Sequence, residues 1–418
     1  MKRLLLLSYA FPPARSPGAI RPGYLARYLQ PLGWDVTVVT HSHEEPPFPV
    51  RVVHVGSYAE GLTQAAQRSL STRSAGAWYR RPLRAVKEAM LFPDERAPWI
   101  LPALCACKQL VREERFDAIF STALPSSMHV VGGVLAKRTG LPWIADYRDP
   151  WTGNSYMEWG PVKTFFEKAA ERRLLRRASA ITTISEPIAA YLRAFHRRSD
   201  VHVVPNAYDQ GDWSAIPDVL PQSFDLCYTG TMYDGKRSPE LLFAAIAALR
   251  EQGHPAGAAR VHFYGPGTGA VLGCAERYGL QAQVFCHGSV PRERAMQAQR
   301  ESASLLIFLS TDPTTSHETG SKYLEYLGAR RPMLAFGLPD SALRDVIERN
   351  ALGWFASDDG EAARALSSAY DVFNGALERY RPDHTAFFTA SQLAERFAGI
   401  LDAAVQTRAD GAASVQFA

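Results

Sequence analysis

The chain of 418 residues lacks most of the features that would settle its class quickly. No apolar run approaches the roughly 20 residues of a membrane span. Leu4 to Leu7 follow two basic residues, but the run stops at Ser8-Tyr9, so it reads as a first buried strand and not as a secretory leader. Cysteine is scarce: five residues, at 105, 107, 227, 274 and 286. Cys105-x-Cys107 has neither zinc spacing nor a matching second pair, which argues against a disulfide framework and a zinc site. Reduced thiols and a cytoplasmic location are the expectation. Charge of one sign is also missing. Lys and Arg number 46 against 42 Asp and Glu, a net charge of +4, and no nucleic-acid partner is implied. There is no internal repeat and no Asp-x-Asp pair. The first strand–loop–helix has one glycine, Gly18, in place of a Gly-x-Gly-x-x-Gly fingerprint, so dinucleotide binding is not supported.

What is present is a regular alternation of buried-strand and helical patterns. The hydrophobic content of 46% supplies ample core, and the length suggests two domains. Strands are predicted at 2–8, 35–40, 50–55, 116–121, 142–147, 180–183 and 201–204. After a polar stretch to about Gln222 the pattern restarts, with strands at 224–229, 260–264, 284–286, 305–309, 333–337 and 351–355. The domain reading is 1–205 and 206–384, with a last helix, about 385–406, packing back on the first domain. The fold class is α/β, two Rossmann-like domains facing across a cleft.

The most informative stretch is Gly320-Ser321-Lys322-Tyr323-Leu324-Glu325. It follows the strand at 305–309, so the helix it opens begins at a sheet's carboxyl edge, where ligands bind. The N–H groups of Gly320 and Ser321 and the helix dipole favour an anion such as a diphosphate. Lys322 and Glu325 are three apart and share a face, a cation suited to phosphate and a carboxylate suited to ribose hydroxyls. An ordinary surface Lys–Glu pair is the alternative. In the first half, Arg15 and Arg21 flank Gly18 and would face an anion. His129 lies in the first turn of a helix at a strand's exit, and Asp149 lies at the exit of the next strand. Residues 78–92 mix Trp78, Tyr79, Leu83, Met90, Leu91 and Phe92 with Arg80, Arg81, Arg84 and Lys87. That is the composition of a basic amphipathic helix at an anionic membrane surface, or of an ordinary helix packed on its domain.

Several motifs in sequence resemble those of the GT-B glycosyltransferases, in the large group 1 (family 4) set of bacterial polysaccharide and glycolipid enzymes. They are Tyr9-Ala10-Phe11-Pro12-Pro13 with Gly18; Ala145-Asp146-Tyr147-Arg148-Asp149-Pro150-Trp151; Val203-Val204-Pro205-Asn206-Ala207-Tyr208-Asp209; Tyr228-Thr229-Gly230-Thr231 with Lys236; Gly265-Pro266-Gly267; His287-Gly288; and the Lys322/Glu325 helix. The resemblance covers nearly the whole chain. It implies a nucleotide-diphosphate sugar donor bound by the second domain and an acceptor bound by the first. Glu325 would hold the ribose. Lys236 and Lys322 would neutralise the diphosphate, helped by Gly320, Ser321 and Gly18, with Arg237 standing in for the family's loop arginine near Gly230. Gly265 and Gly288 would lie near the base, and His129 would contact the donor sugar. Asp149 and Arg21 fall on the acceptor side. Glu318 is the counterpart of the family's sugar-contacting glutamate. The family separates its two glutamates by seven residues, whereas Glu318 and Glu325 have six between them, with His317 at the usual position. The resemblance further implies retention of configuration without metal or other cofactor, with cations supplied by the chain. It also fits a lipid-linked acceptor at the inner face of the cell membrane. A sugar-nucleotide epimerase of the same fold, or a non-catalytic partner in polysaccharide assembly, would share many of these features.

Overall fold

Leu4, Leu5, Leu6 and Leu7 have no accessible surface. In the computed structural model they form the centre of β1 (Lys2–Leu7). Burial on both faces is what a central parallel strand requires. The structure describes all residues except 15, 58–91, 154–158, 234–236, 311, 313–321, 376, 378–379, 381–387 and 417–418. The chain divides into two units, Met1–Asn206 with Ala390–Ala418, and Ala207–Thr389.

In unit 1, β1 is followed by β2 (Trp34–Thr40), β3 (Arg51–His54), β4 (Ala118–Ala123), β5 (Trp143–Tyr147), β6 (Ala180–Thr183) and β7 (Val201–Val203). The strands form one sheet in the order β3-β2-β1-β4-β5-β6-β7, all pairs parallel. Leu5 pairs with Thr37 on one side and Ile119 on the other. The order reverses between β1 and β4, so the ligand-binding crevice of this sheet lies at their carboxyl ends. The helix Pro17–Tyr28 starts there, with Pro17 at its first position and the Ser16 hydroxyl accepting from the Gly18 N–H (3.2 Å). The last helix, Ala390–Gln416, belongs to the same unit. Phe397 packs edge-on against Phe120 (5.2 Å), and Asp402 pairs with Lys2 (2.6 Å) and accepts from Trp34 Nε1 (3.0 Å).

Unit 2 repeats the plan. β8 (Asp225–Thr229), β9 (Arg260–Tyr264), β10 (Val284–Gly288), β11 (Ser304–Phe308), β12 (Met333–Phe336) and β13 (Gly353–Ala356) form a parallel sheet in the order β10-β9-β8-β11-β12-β13. Alternate residues of each strand feed opposite faces. Leu226 and Tyr228 join a core with Phe243, Ile246 and Phe263, whereas Cys227 joins Leu305, Ile307, Tyr326 and Ile347 on the other side. The switch point lies between β8 and β11. The α/β fold class read from the sequence is what the structure shows. The helices Ile100–Glu113, Gly269–Arg277 and Ala342–Arg349 go beyond the sequence reading. Among the described residues no helix is long and apolar enough to cross a membrane.

Candidate active site

Three glycines pack the strand exits of unit 2 together. The Gly230 N–H donates to Tyr264 O (2.7 Å), and the Gly265 N–H donates to Gly288 O (2.7 Å). A Cβ on Gly265 would fall on the carbonyl of Gly230, which itself has φ +136°. Only a residue without a side chain at position 265 lets the loops after β8 and β9 approach this closely. The result is a shallow floor of backbone at the switch point.

Lys322 opens the helix Lys322–Ala329 at the edge of that floor. Its ammonium donates to Thr229 O, the last carbonyl of β8, and lies 5.1 Å from the centroid of Tyr228 and 5.9 Å from that of Tyr326. The space it occupies is where a Cβ on Gly230 would stand. An ammonium has three donors, so the bond to Thr229 fixes it in place and leaves two for a ligand. Burial lowers the Lys322 pKa, the Glu325 carboxylate opposes this, and Arg237 adds to the lowering.

Glu325 lies one turn on, half-buried. Its Oε1 accepts from Gln299 Nε2 (2.6 Å), which also donates to Thr229 Oγ1 (2.9 Å). Gln299, fully buried on the helix Arg292–Glu301, therefore aims the carboxylate and is absent from the sequence reading. Arg237 donates to Tyr228 Oη (3.0 Å) and Thr231 O (3.1 Å), and its guanidinium covers the Tyr233 ring at 4.7 Å. Beyond the glycine floor, the His287 ring stacks on Tyr264 (4.3 Å between centroids), and burial lowers its pKa. The structure thus brings Gly230, Arg237, Gly265, Gly288, Lys322 and Glu325 to one sheet edge. Lys236, Glu318, Gly320 and Ser321 lie outside the described residues.

Unit 1 has its own carboxyl-edge site. Arg148, just past β5, donates through Nε to Ala123 O (2.9 Å) and through a terminal nitrogen to Leu124 O (3.1 Å). That nitrogen would stand 3.4 Å from a Cβ on Gly18. Burial lowers the Arg148 pKa, while Asp146 and Asp149 raise it. Arg148 is a second residue that carries no role in the sequence reading, although it stands within the motif around Asp149. Asp149 itself is exposed.

Two residues of unit 1 are placed otherwise than the sequence reading expects. Arg21 does not face an acceptor. It is 2% exposed and clamps the buried Asp146 through Nε (3.0 Å) and a terminal nitrogen (2.9 Å). Its other donors reach Val204 O (2.9 Å) and Pro205 O (3.1 Å). Asp146 also accepts from Thr122 (2.9 Å) and Thr182 (2.7 Å). His129 is in the first turn of its helix, Ser127–Thr139, but has no accessible surface. Its Nδ1 shares a hydrogen bond with Ser121 Oγ (2.8 Å), and its ring lies 4.6 Å from Tyr147. Burial pushes its pKa down to about 3 against the pull of Asp146, so it is neutral near pH 7. In this structure the ring is closed off from solvent, and its Nε2 is buried without a hydrogen-bond partner. Arg15 and residues 78–91 lie outside the described residues; Phe92 is exposed beside Trp151 (6.3 Å).

Two family models match in succession and together span most of the chain: a glycosyl transferase 4-like domain over residues 19–207 and glycosyl transferases group 1 over residues 223–371. The chain belongs to the group 1 glycosyltransferases. No curated protein matches it by sequence. Solved structures similar to this glycosyltransferase include sucrose-phosphate synthase of Thermosynechococcus elongatus, at 16% identity over 100% of this chain and 98% of that one (TM-score 0.53). A glycosyltransferase of Rickettsia africae ESF-5 is 12% identical over 97% and 98% (TM-score 0.60). A TarM variant of S. aureus, solved with fondaparinux, alpha-GlcNAc-glycerol and UDP, is 9% identical over 96% and 100% (TM-score 0.54). At these identities the likeness establishes the GT-B fold alone. The group 1 model covers the unit 2 residues from Gly230 to Glu325, and the 4-like model covers Arg148 and Asp149.

Proposed function

We propose that this glycosyltransferase takes its sugar from a nucleotide-diphosphate sugar bound by unit 2 and passes it, with retention, to an acceptor hydroxyl held by unit 1. The observation that carries this reading is the pairing of Lys322 and Glu325 on one helical turn at the β8/β11 switch point, each with its own support in Thr229 and Gln299. Glu325 takes the ribose hydroxyls. Lys322 takes diphosphate oxygens, with Lys236, Arg237 and the N–H groups of Gly320 and Ser321. The base lies against the floor at Gly265 and Gly288. The UDP held by TarM is a ligand of this type on a similar fold. Asp149 stands on the acceptor side, next to Arg148, and Gly18, beside the Arg148 guanidinium, helps to hold the diphosphate.

Breaking the bond from sugar to diphosphate places charge on the leaving phosphate, and pre-oriented cations stabilise that charge without reorganising. Cations supplied by the chain support a reaction that needs no metal. The leaving phosphate then takes the acceptor's proton on the same face of the sugar, so the anomeric configuration is kept. We place the reaction in bacterial polysaccharide, glycolipid or glycoconjugate synthesis, in the cytoplasm at the inner face of the cell membrane. The acceptor is lipid-linked, with residues 78–92 as a basic membrane segment.

A thermal-shift screen of nucleotide sugars tests the donor reading. One nucleotide class is expected to raise the melting temperature by several degrees, because a ligand at about 100 times its Kd adds about 2.7 kcal/mol. The shift should be the same with EDTA present. A protein that no nucleotide stabilises would refute the donor site, and a shift that disappears in EDTA would refute the metal-free mechanism.

A further inference from the structure

The helix Pro161–Leu175 of unit 1 is built inside out. Its inward face carries two carboxylates, Glu167 and Glu171, neither with accessible surface. Glu167 accepts from Trp151 Nε1 (2.9 Å), and Glu171 accepts from Tyr147 Oη (3.0 Å) and Thr152 Oγ1 (2.5 Å). Leu175 at the end of the helix is buried, but the apolar residues of its first two turns face outward: Val162 is 69% exposed, Phe165 68% and Phe166 62%. The two phenylalanine rings touch edge to face at 5.6 Å. A single exposed apolar side chain is ordinary, but three at i, i+3 and i+4 make one patch.

The same outward stripe continues through Ala169 to Arg172, Arg173 and Arg176, with Arg177 next to it, all exposed. Arg172 is engaged by the Phe195 carbonyl and ring. Among the described residues no carboxylate pairs with Arg173, Arg176 or Arg177. Arg177 also borders an open groove with Lys137, Arg396 and Arg408, whose one lining carboxylate, Glu186, pairs with Arg193. The stripe therefore passes from apolar to cationic within one helix and carries no acidic residue.

We propose that Pro161–Leu175 seats this glycosyltransferase on an anionic lipid surface. Val162, Phe165 and Phe166 enter the boundary between headgroups and acyl chains, and Arg173, Arg176 and Arg177 lie among the phosphates. An occupant of this face must offer apolar depth and negative charge side by side, and an anionic bilayer supplies both. A second copy docked through the same face would bring arginines without carboxylates to meet them. The inference uses residues other than 78–92 and does not depend on the donor reading.

The test is co-sedimentation of the full chain with vesicles of phosphatidylcholine, alone or mixed with phosphatidylglycerol, at low and high salt. Binding to the anionic vesicles, weakened by salt, is expected. Phe165→Ser with Phe166→Ser should weaken it at least about tenfold. Arg173, Arg176 and Arg177 changed together to Ser should weaken it roughly a hundredfold. All five side chains are exposed, so melting temperatures should stay at the wild-type value. A wild-type chain that stays in the supernatant at low salt would overturn the proposal. So would binding that survives both variants and disappears only when Arg80, Arg81, Arg84 and Lys87 become Ser. A dimer, seen by sedimentation velocity without lipid and broken by the phenylalanine changes, would assign the face to a second copy instead.

Discussion

Lys322→Ala is expected to lower turnover by about 10²–10³-fold, the usual cost of removing one pre-oriented group from a developing charge. The loss should fall on kcat more than on acceptor KM, because the charge on the leaving phosphate appears in the transition state. Lys322→Arg should restore only part of it, since the space beside Gly230 holds an ammonium and not a planar guanidinium. The pH profile adds an independent readout. Burial lowers the Lys322 pKa from its ordinary 10.5, so the ammonium, and turnover with it, is lost at a lower pH than for a solvent-exposed lysine. That alkaline limb should be missing from the Ala variant. An Ala variant that keeps more than about a tenth of wild-type turnover would remove Lys322 from the chemistry.

Asp146→Ala is expected to destabilise unit 1 by about 3–5 kcal/mol, because it leaves Arg21 buried with its charge unpaired. In a unit of this size that is a fall of about 6–20 °C in melting temperature. Replacing both partners, Arg21→Met with Asp146→Leu, should recover most of the loss, since an apolar pair of similar volume is near neutral. Burial alone would raise the Asp146 pKa, but the charge and hydrogen bonds of Arg21, with Thr182 and Thr122, hold it below the ordinary 3.8. A carboxylate with a depressed folded pKa stabilises fully above its unfolded value and loses that contribution as pH falls through the folded one. The gap between wild type and Asp146→Ala should therefore be constant near neutrality and close below the ordinary 3.8. An Ala variant that melts within about 2 °C of wild type would mean that the pair is not the clamp its geometry implies.

The strands were legible because each is a short buried run bounded by turn residues. Ala180–Thr183 and Arg260–Tyr264 have the same limits in the sequence reading and in the structure, and the other strands shift by one or two residues at an end. The helices that escaped are instructive. Ala103, Leu104, Cys107 and Leu110 form a helical stripe, but Pro102 in the first turn breaks the helix-forming pattern. Gly269–Arg277 begins in a glycine-rich loop, and Ala342–Arg349 buries only Leu343 and Ile347. At the site, spacing alone put Lys322 and Glu325 on one face. It gave no hint of Gln299, which lies 26 residues from Glu325 in sequence and belongs to no motif. The burial of Arg21 and His129 was not legible for one reason: a polar residue in the first turns of a helix has a position in the sequence but no direction. One clue was present. Asp146 lies inside the apolar run Trp143-Ile144-Ala145-Asp146-Tyr147, and a buried carboxylate there requires a cation close by. Arg21 is that cation.

The most direct test is calorimetric titration of the nucleoside diphosphate found by the screen into wild type and Glu325→Ala. If Glu325 holds the ribose, the variant should bind about ten- to a hundredfold more weakly, the equivalent of about 1.5–3 kcal/mol for lost hydrogen bonds to a charged group. Its melting temperature without ligand should be unchanged. Equal affinity in the two proteins would contradict the donor site in unit 2.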